Sequence, residues 1–362
     1  MSHSPKIYTA IDLFSGMGGL TLGLKRAGFK VVAGVEMNRE IVKTYRRNHP
    51  EILVVEKNIR DVKGKDILEA ARLEKVDLVA GCPPCQGFSK LTDKYHREDS
   101  RNDLVLEMLR LVKELNPRLV MMENVPGLAT RGKDRLDKFV EGLNDLGFTT
   151  NYGILHLANY GVPQSRRRIV LLAGRGFRID LPPQTHSRKR NEGERLKSWP
   201  TLKQAIGRMK RPITLSKALK SGGPSKFNWH VVRDLEPLSL ERMRAIKPGA
   251  SRGSLPKSLR PQCHSEGDRG FENVYGRIGW NRLPPTITSG CTTPCMGRFG
   301  HPSQIRTISV REAAMLQTFP LSYRIETSFM DTACNMVGNA LPPVFAKIVA
   351  EKCFDALEGD AR

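Results

Sequence analysis

Cys82 and Cys85 bracket two prolines, Pro83 and Pro84, just past an apolar run at residues 76–80. A C-x-x-C spacing supports three chemistries: half of a metal clip, a redox pair, or one nucleophile on a stiff loop. A zinc site needs two further ligands, and Cys291, Cys295 and His301 form no tidy second pair. A thioredoxin-like pair opens a helix, which Gln86-Gly87-Phe88-Ser89 suits badly. The nucleophile fits better, and no metal is expected. The prolines fix φ and stiffen the approach, so Cys85 would project from a strand end with Cys82 as a small buried neighbour. The spacing alone does not decide.

Other stretches could serve such a nucleophile. Residues 12–19 read Asp-Leu-Phe-Ser-Gly-Met-Gly-Gly. Glycines after a strand let a ligand approach the backbone at a helix N-terminus. Glu36 closes the next strand-like run, 20 residues after Gly16, where a carboxylate can accept from both hydroxyls of a ribose. Together they point to an adenosine-containing cofactor. A dinucleotide fingerprint would place a glycine where Thr21 stands, which argues against NAD. Glu123 ends an apolar run and is followed by Asn124-Val125-Pro126. Burial there should raise its pKa and let it share a proton with a ring nitrogen. A strand through Gln164-Ser165-Arg166-Arg167-Arg168 would point Gln164, Arg166 and Arg168 to one side. Arginines there could bind a phosphate or a carbonyl, or simply form a solvated edge. Gly338-Asn339-Ala340-Leu341 precedes the last helical pattern and could fold back over the cofactor.

The elements that must position these residues alternate over the first 175 residues. Strand-like runs lie at 7–14, 30–36, 52–55, 76–80, 119–122 and 169–173, with helical patterns between most of them, such as 20–27 and 103–115. This is an α/β doubly wound pattern with a parallel sheet, and such folds bind ligands at the carboxyl ends of their strands. From 181 to about 281 the periodicity dissolves into Pro, Ser, Gly, Lys and Arg. Helical patterns return at 310–317 and 344–357, the latter suited to pack back on the first domain.

The formal net charge is +22, and residues 184–282 hold 22 Lys and Arg against 8 Asp and Glu. A polyanion is the natural partner, since phosphate neutralisation dominates non-specific nucleic-acid affinity. A merely well-solvated surface is the alternative. No apolar run reaches membrane-span length and the N-terminus lacks a secretory signal, so a cytoplasmic chain without membrane attachment is expected.

In this order the segments resemble the DNA (cytosine-5)-methyltransferases over residues 7–175 and 282–357. Residues 12–19 are similar to the family's cofactor loop, Pro84-Cys85-Gln86 to its catalytic loop and Glu123-Asn124-Val125 to its acid motif. Residues 164–168 resemble its Gln-x-Arg-x-Arg motif, residues 306–320 the helix supporting its recognition domain, and residues 338–341 its final cofactor motif. The resemblance implies a Rossmann-like, S-adenosylmethionine-dependent methyltransferase core with an inserted basic target recognition domain. The expected domains are a catalytic core at 1–180, target recognition at 181–281 and a return segment at 282–362.

It also implies transfer of a methyl group to carbon 5 of a flipped-out cytosine in a specific double-stranded DNA sequence, leaving S-adenosylhomocysteine. Cys85 would bond carbon 6 and Glu123 would face ring nitrogen 3, while Arg166 and Arg168 help hold the base and the loop, with Gln164 a further catalytic candidate of the same motif. The cofactor would meet Phe14, Gly16, Gly18, Gly19, Glu36, Met37, Asn58, Ile59, Pro84, Leu104, Asn339 and Leu341. Asn58 departs from the acid usual in the family, though its carbonyl oxygen can still accept a hydrogen bond. A tRNA methyltransferase of the same fold and a non-catalytic DNA-binding regulator are the rival readings. A monomer is expected. The resemblance leaves open whether a cognate restriction endonuclease acting on the same site accompanies the chain.

Overall fold

The structure, a computed structural model, describes residues 6–84, 103–188, 195–262 and 272–360. It divides into two compact units. One comprises Met1–Tyr160, Arg167–Thr185 and Leu341–Arg362, the other Gly161–Arg166 and His186–Ala340. These boundaries differ from those drawn on composition: residues 282–340 group with the basic stretch, and the return to the first unit begins at Leu341.

The first unit is built on one sheet of β1 (Thr9–Leu13), β2 (Lys30–Val35), β3 (Leu53–Val55), β4 (Leu78–Gly81), β5 (Leu119–Asn124), β6 (Phe148–His156) and β7 (Arg167–Arg175). Their order is β3-β2-β1-β4-β5-β7-β6. β4 and β5 are buried along their whole length, which is why they read as continuous apolar runs rather than alternating ones. The first five strands pair in parallel, joined by helices that include α1 (Gly19–Arg26), α2 (Arg39–Asn48), α3 (Gly64–Ala70) and α4 (Leu104–Leu115). α4 buries Leu104, Val105, Met108, Leu111, Val112 and Leu115 at helical spacing, and stops where Asn116 turns left-handed at φ 46° before Pro117.

The all-parallel expectation fails at β7, which runs antiparallel to both β5 and β6. α5 (Lys133–Asp145) provides the crossover between β5 and β6. Only residues 157–166 join β6 to β7, too short a link for a helical crossover, so the chain must return antiparallel. The last helix, here α11 (Pro343–Asp360), packs on α1 so closely that a Cβ on Gly23 would lie 2.3 Å from the Ala346 Cβ. Phe354 on α11 meets Tyr8 and Phe29 edge to face at 5.3 and 5.4 Å.

The second unit is made of short pieces: two-stranded ladders β8 (His186–Ser187) with β9 (Lys197–Ser198) and β10 (Ile213–Thr214) with β11 (Val231–Val232), and helices α6 (Leu202–Ile206), α7 (Leu215–Lys220), α8 (Pro237–Ala245), α9 (Val310–Leu316) and α10 (Met330–Asn339). α9 opens with a capping box between Ser309 and Glu312. Among the described residues no helix is long and apolar enough to cross a membrane.

Candidate active site

At the carboxyl end of β1 the backbone turns left-handed three times in five residues, at Phe14 (φ 60°), Gly16 (φ 53°) and Gly18 (φ 92°). Glycine adopts that region freely; Phe14 does so at a cost, the kind of strain that functional turns retain. The Ser15 N–H donates to the Val35 carbonyl at 2.9 Å, tying the turn to β2. Gly19, buried, starts α1.

Glu36, just past β2, is fixed by two backbone donors: Gly16 N–H to Oε2 at 3.1 Å and Asn38 N–H to Oε1 at 2.8 Å. Burial pushes its carboxyl pKa up, and the Asn38 and Gly16 donors oppose that. Met37 beside it is 64% exposed, an apolar side chain offered to solvent at the strand ends. A carboxylate held by the glycine turn, next to an exposed thioether, is an arrangement that could receive the ribose and flat ring of an adenosine group.

Asn58 caps the turn Ile59–Asp61, its Oδ1 accepting from Arg60 N–H at 3.1 Å, which leaves that oxygen one lone pair and the amide two donors. The Ile59 and Leu104 side chains sit in the core, 4% and 7% exposed. Asn339 is exposed at the end of α10, while Leu341 is buried.

One set of residues here escaped the sequence reading. Asp12 is fully buried; its Oδ2 accepts from Thr21 Oγ1 at 2.6 Å, and that hydroxyl meets Tyr45 OH at 2.9 Å. Burial pushes the Asp12 carboxyl up to about 7. Thr21 thus stands where a dinucleotide fold needs glycine because its hydroxyl holds Asp12. The absence of glycine at 21 was the visible signal.

Two strands away, Glu123 lies in β5, 7% exposed. It pairs with Val170, so Glu123 and Arg168, two residues from Val170, share a face of the sheet. Arg168 Nε sits 2.7 Å from Glu123 Oε1. The N–H is not aligned with the oxygen, however, and Oε1 remains buried without a hydrogen bond. Asn124 Nδ2 donates to the Pro83 carbonyl at 3.0 Å, anchoring the proline pair to β5. Pro84 is half-buried at the end of this described stretch, and Cys85 lies outside the described residues.

Gln164 and Arg166 do not share a face with Arg168 on one strand, because β7 begins only at Arg167. Both are buried in the second unit; Arg166 binds main chain, and Gln164 binds main chain and the Gln317 side chain. Arg166 Nη1 donates to the Ile287 and Gly338 carbonyls at 3.0 and 3.2 Å; Gln164 Nε2 donates to the Leu316 carbonyl and to Gln317 Oε1 at 2.9 and 2.7 Å. A Cβ on Gly338 would lie 2.4 Å from Ser289 N, so only glycine fits there. Cys291 is buried and Cys295 exposed, and no group of three or more metal-binding side chains occurs among the described residues.

The sequence profile of the C-5 cytosine-specific DNA methylases matches residues 8–355. The chain belongs to that family. The methylase is 34% identical to the Type II methylase M.HgiDII of Herpetosiphon aurantiacus over 354 residues, 96% of each chain. It is also 34% identical to the Type II methyltransferase M1.HphI of Haemophilus parahaemolyticus, covering 95% of this chain and 86% of that one. Its fold resembles a prophage-encoded DNA modification methyltransferase of E. coli (TM-score 0.73, 23% identity, 97% and 99% covered) and the Dnmt2 methyltransferase of S. pombe (TM-score 0.64, 18% identity, 99% and 100% covered).

Proposed function

We propose that this methylase transfers a methyl group from S-adenosylmethionine to carbon 5 of a cytosine flipped out of a specific double-stranded DNA sequence. The observation that carries this reading is Glu123, buried beside Arg168 with one oxygen lacking an aligned donor, on a strand tied by Asn124 to the prolines that lead into Cys85. Phe14, Gly16, Gly18, Gly19, Glu36, Met37 and Asn58 would hold the cofactor, with Pro84 and Leu341 of the same unit beside it and Ile59 and Leu104 backing it from the core. When bound, S-adenosylmethionine supplies an electrophilic methyl group.

Carbon 5 of cytosine is a weak nucleophile, and the protein residues must activate it. Addition of the Cys85 thiolate forms the sulfur–carbon 6 bond while Glu123 places a proton at nitrogen 3, leaving electron density on carbon 5. The Arg168 cation attracts Glu123 from the neighbouring strand. Loss of the carbon 5 proton to a base, after methylation, re-forms the double bond and expels the Cys85 thiolate, while nitrogen 3 returns its proton to Glu123. No such contact exists inside a base stack, so the cytosine must leave it. Gln164 and Arg166 contribute by bracing the Gly338 segment rather than by touching the base. The basic second unit would carry target recognition. Labelled S-adenosylmethionine with duplex DNA and tRNA in parallel, followed by mapping of 5-methylcytosine, tests the reading: label in a fixed DNA sequence supports it, and label in tRNA alone sinks it.

A further inference from the structure

We infer that Cys82 is a positioning residue for Glu123, holding its carboxylate through the thiol; this rests on the reading of Glu123 as the acid above. The register places the two side by side. Gly81 of β4 pairs with Met122 of β5, so the next residues along the parallel pair are Cys82 and Glu123, on one face of the sheet. Past the strand end the chain stays tethered on both sides: Cys82 N–H reaches the Leu13 carbonyl of β1 at 3.4 Å, and the Asn124 side chain donates from Nδ2 to the Pro83 carbonyl at 3.0 Å. Cys82 has little freedom in this place.

Cys82 is half-buried rather than buried, and its thiol pKa is pushed well above the ordinary range by desolvation, by the negative charges of Glu123 and Asp12 and by its hydrogen bond to Glu123. A protonated, hydrogen-bonded thiol is a poor nucleophile, which separates Cys82 chemically from the role given to Cys85. It is also a donor beside the Glu123 carboxylate. Arg168 alone does not define the Glu123 carboxylate, since its 2.7 Å contact lacks hydrogen-bond alignment. A cation attracts the group without fixing its rotation; an aligned donor fixes it. Cys82 and Arg168 together then hold the carboxylate from two sides, with an edge free for the base.

Removing the thiol should show in turnover rather than in binding. With the full-length protein, Cys82→Ala should lower kcat roughly ten-fold, the order expected when a charged acceptor loses a donor, with unchanged KM for cofactor and DNA and an unchanged melting temperature. Cys82→Ser, which keeps a donor, should stay within about three-fold of wild type on the same scale. Equal kcat for Cys82→Ala and wild type, or a loss shared by both variants, would overturn the inference. Should Cys82→Ala fail to fold, the S–H stretch of Cys82 replaces it. In Raman difference spectra of wild type against Cys82→Ser the band should lie at a hydrogen-bonded frequency and move up in Glu123→Gln; a band that ignores Glu123→Gln overturns the inference. Wild type that transfers no methyl to cytosine fails the underlying function instead, and takes this inference with it.

Discussion

Among the described residues, two arginine–glutamate pairs with a buried glutamate differ in how fully they are satisfied. In the second unit, Arg306 grips Glu312 with both terminal nitrogens, at 2.7 and 2.8 Å, and also reaches Gln304 Oε1 and the Thr307 carbonyl. The Ser309 N–H gives Glu312 a further donor at 2.7 Å, completing the cap of α9. In the first unit, Arg168 meets Glu123 through one contact that lacks alignment, and a buried carboxylate oxygen stays without a hydrogen bond. Burying charge is costly, and folds repay that cost by saturating each partner. The Arg306 pair is saturated and holds the fold; the Arg168 pair is left open where a substrate atom can complete it.

Glu123→Gln should therefore cost little stability but on the order of 10²–10⁴ in methyl transfer, the range for a positioned acid. A single-turnover rate near wild type would erase the distinction between the pairs. Glu312→Ala should do the reverse and lower unfolding free energy by about 3–5 kcal/mol, because Arg306 is left buried and uncompensated. Urea unfolding that shows no loss would make the saturated pair ornamental.

Asp12 lies between these cases, with Oδ2 held by Thr21 and Oδ1 buried without a partner. Its folded carboxyl titrates at about 7, against an ordinary value of 3.8. The folded state thus keeps a proton that the unfolded chain has lost. The associated stability is present below the unfolded pKa and is lost as pH rises to about 7, by up to about 4 kcal/mol at ~1.4 kcal/mol per unit. Wild type should lose stability relative to Asp12→Asn across that window in urea titrations; parallel curves would refute it. Glu36, held by backbone donors on both oxygens, gives the smallest effect. Glu36→Ala should weaken cofactor binding by roughly 1.5–3 kcal/mol, and calorimetry showing equal affinity would remove it from the site.

What could be read from the sequence tracks how local the cause is. α4 was legible because its apolar spacing and its Asn116-Pro117 stop lie within the helix. Glu36 and the glycine turn were legible because strand ends and glycines announce themselves. β6 was not foreseen: Thr149, Thr150 and Asn151 interrupt its apolar residues, and it forms an edge of the sheet beyond β7. The expected common face of Gln164, Arg166 and Arg168 assumed a strand whose start is set by its partners β5 and β6, which no local pattern encodes. The Asp12–Thr21–Tyr45 chain joins three elements, and only packing brings it together.

The identity of the nucleophile is tested most directly by a DNA duplex carrying 5-fluorocytosine at the methylated position. After methyl transfer, fluorine leaves no proton on carbon 5 to remove, so elimination stops and the sulfur stays bonded to carbon 6. Wild type and Cys82→Ser should each give a denaturation-resistant protein–DNA adduct when S-adenosylmethionine is present. Peptide mapping should place it on Cys85, and Cys85→Ser should give none. An adduct that persists in Cys85→Ser and maps to Cys82 would contradict the assignment of the two cysteines.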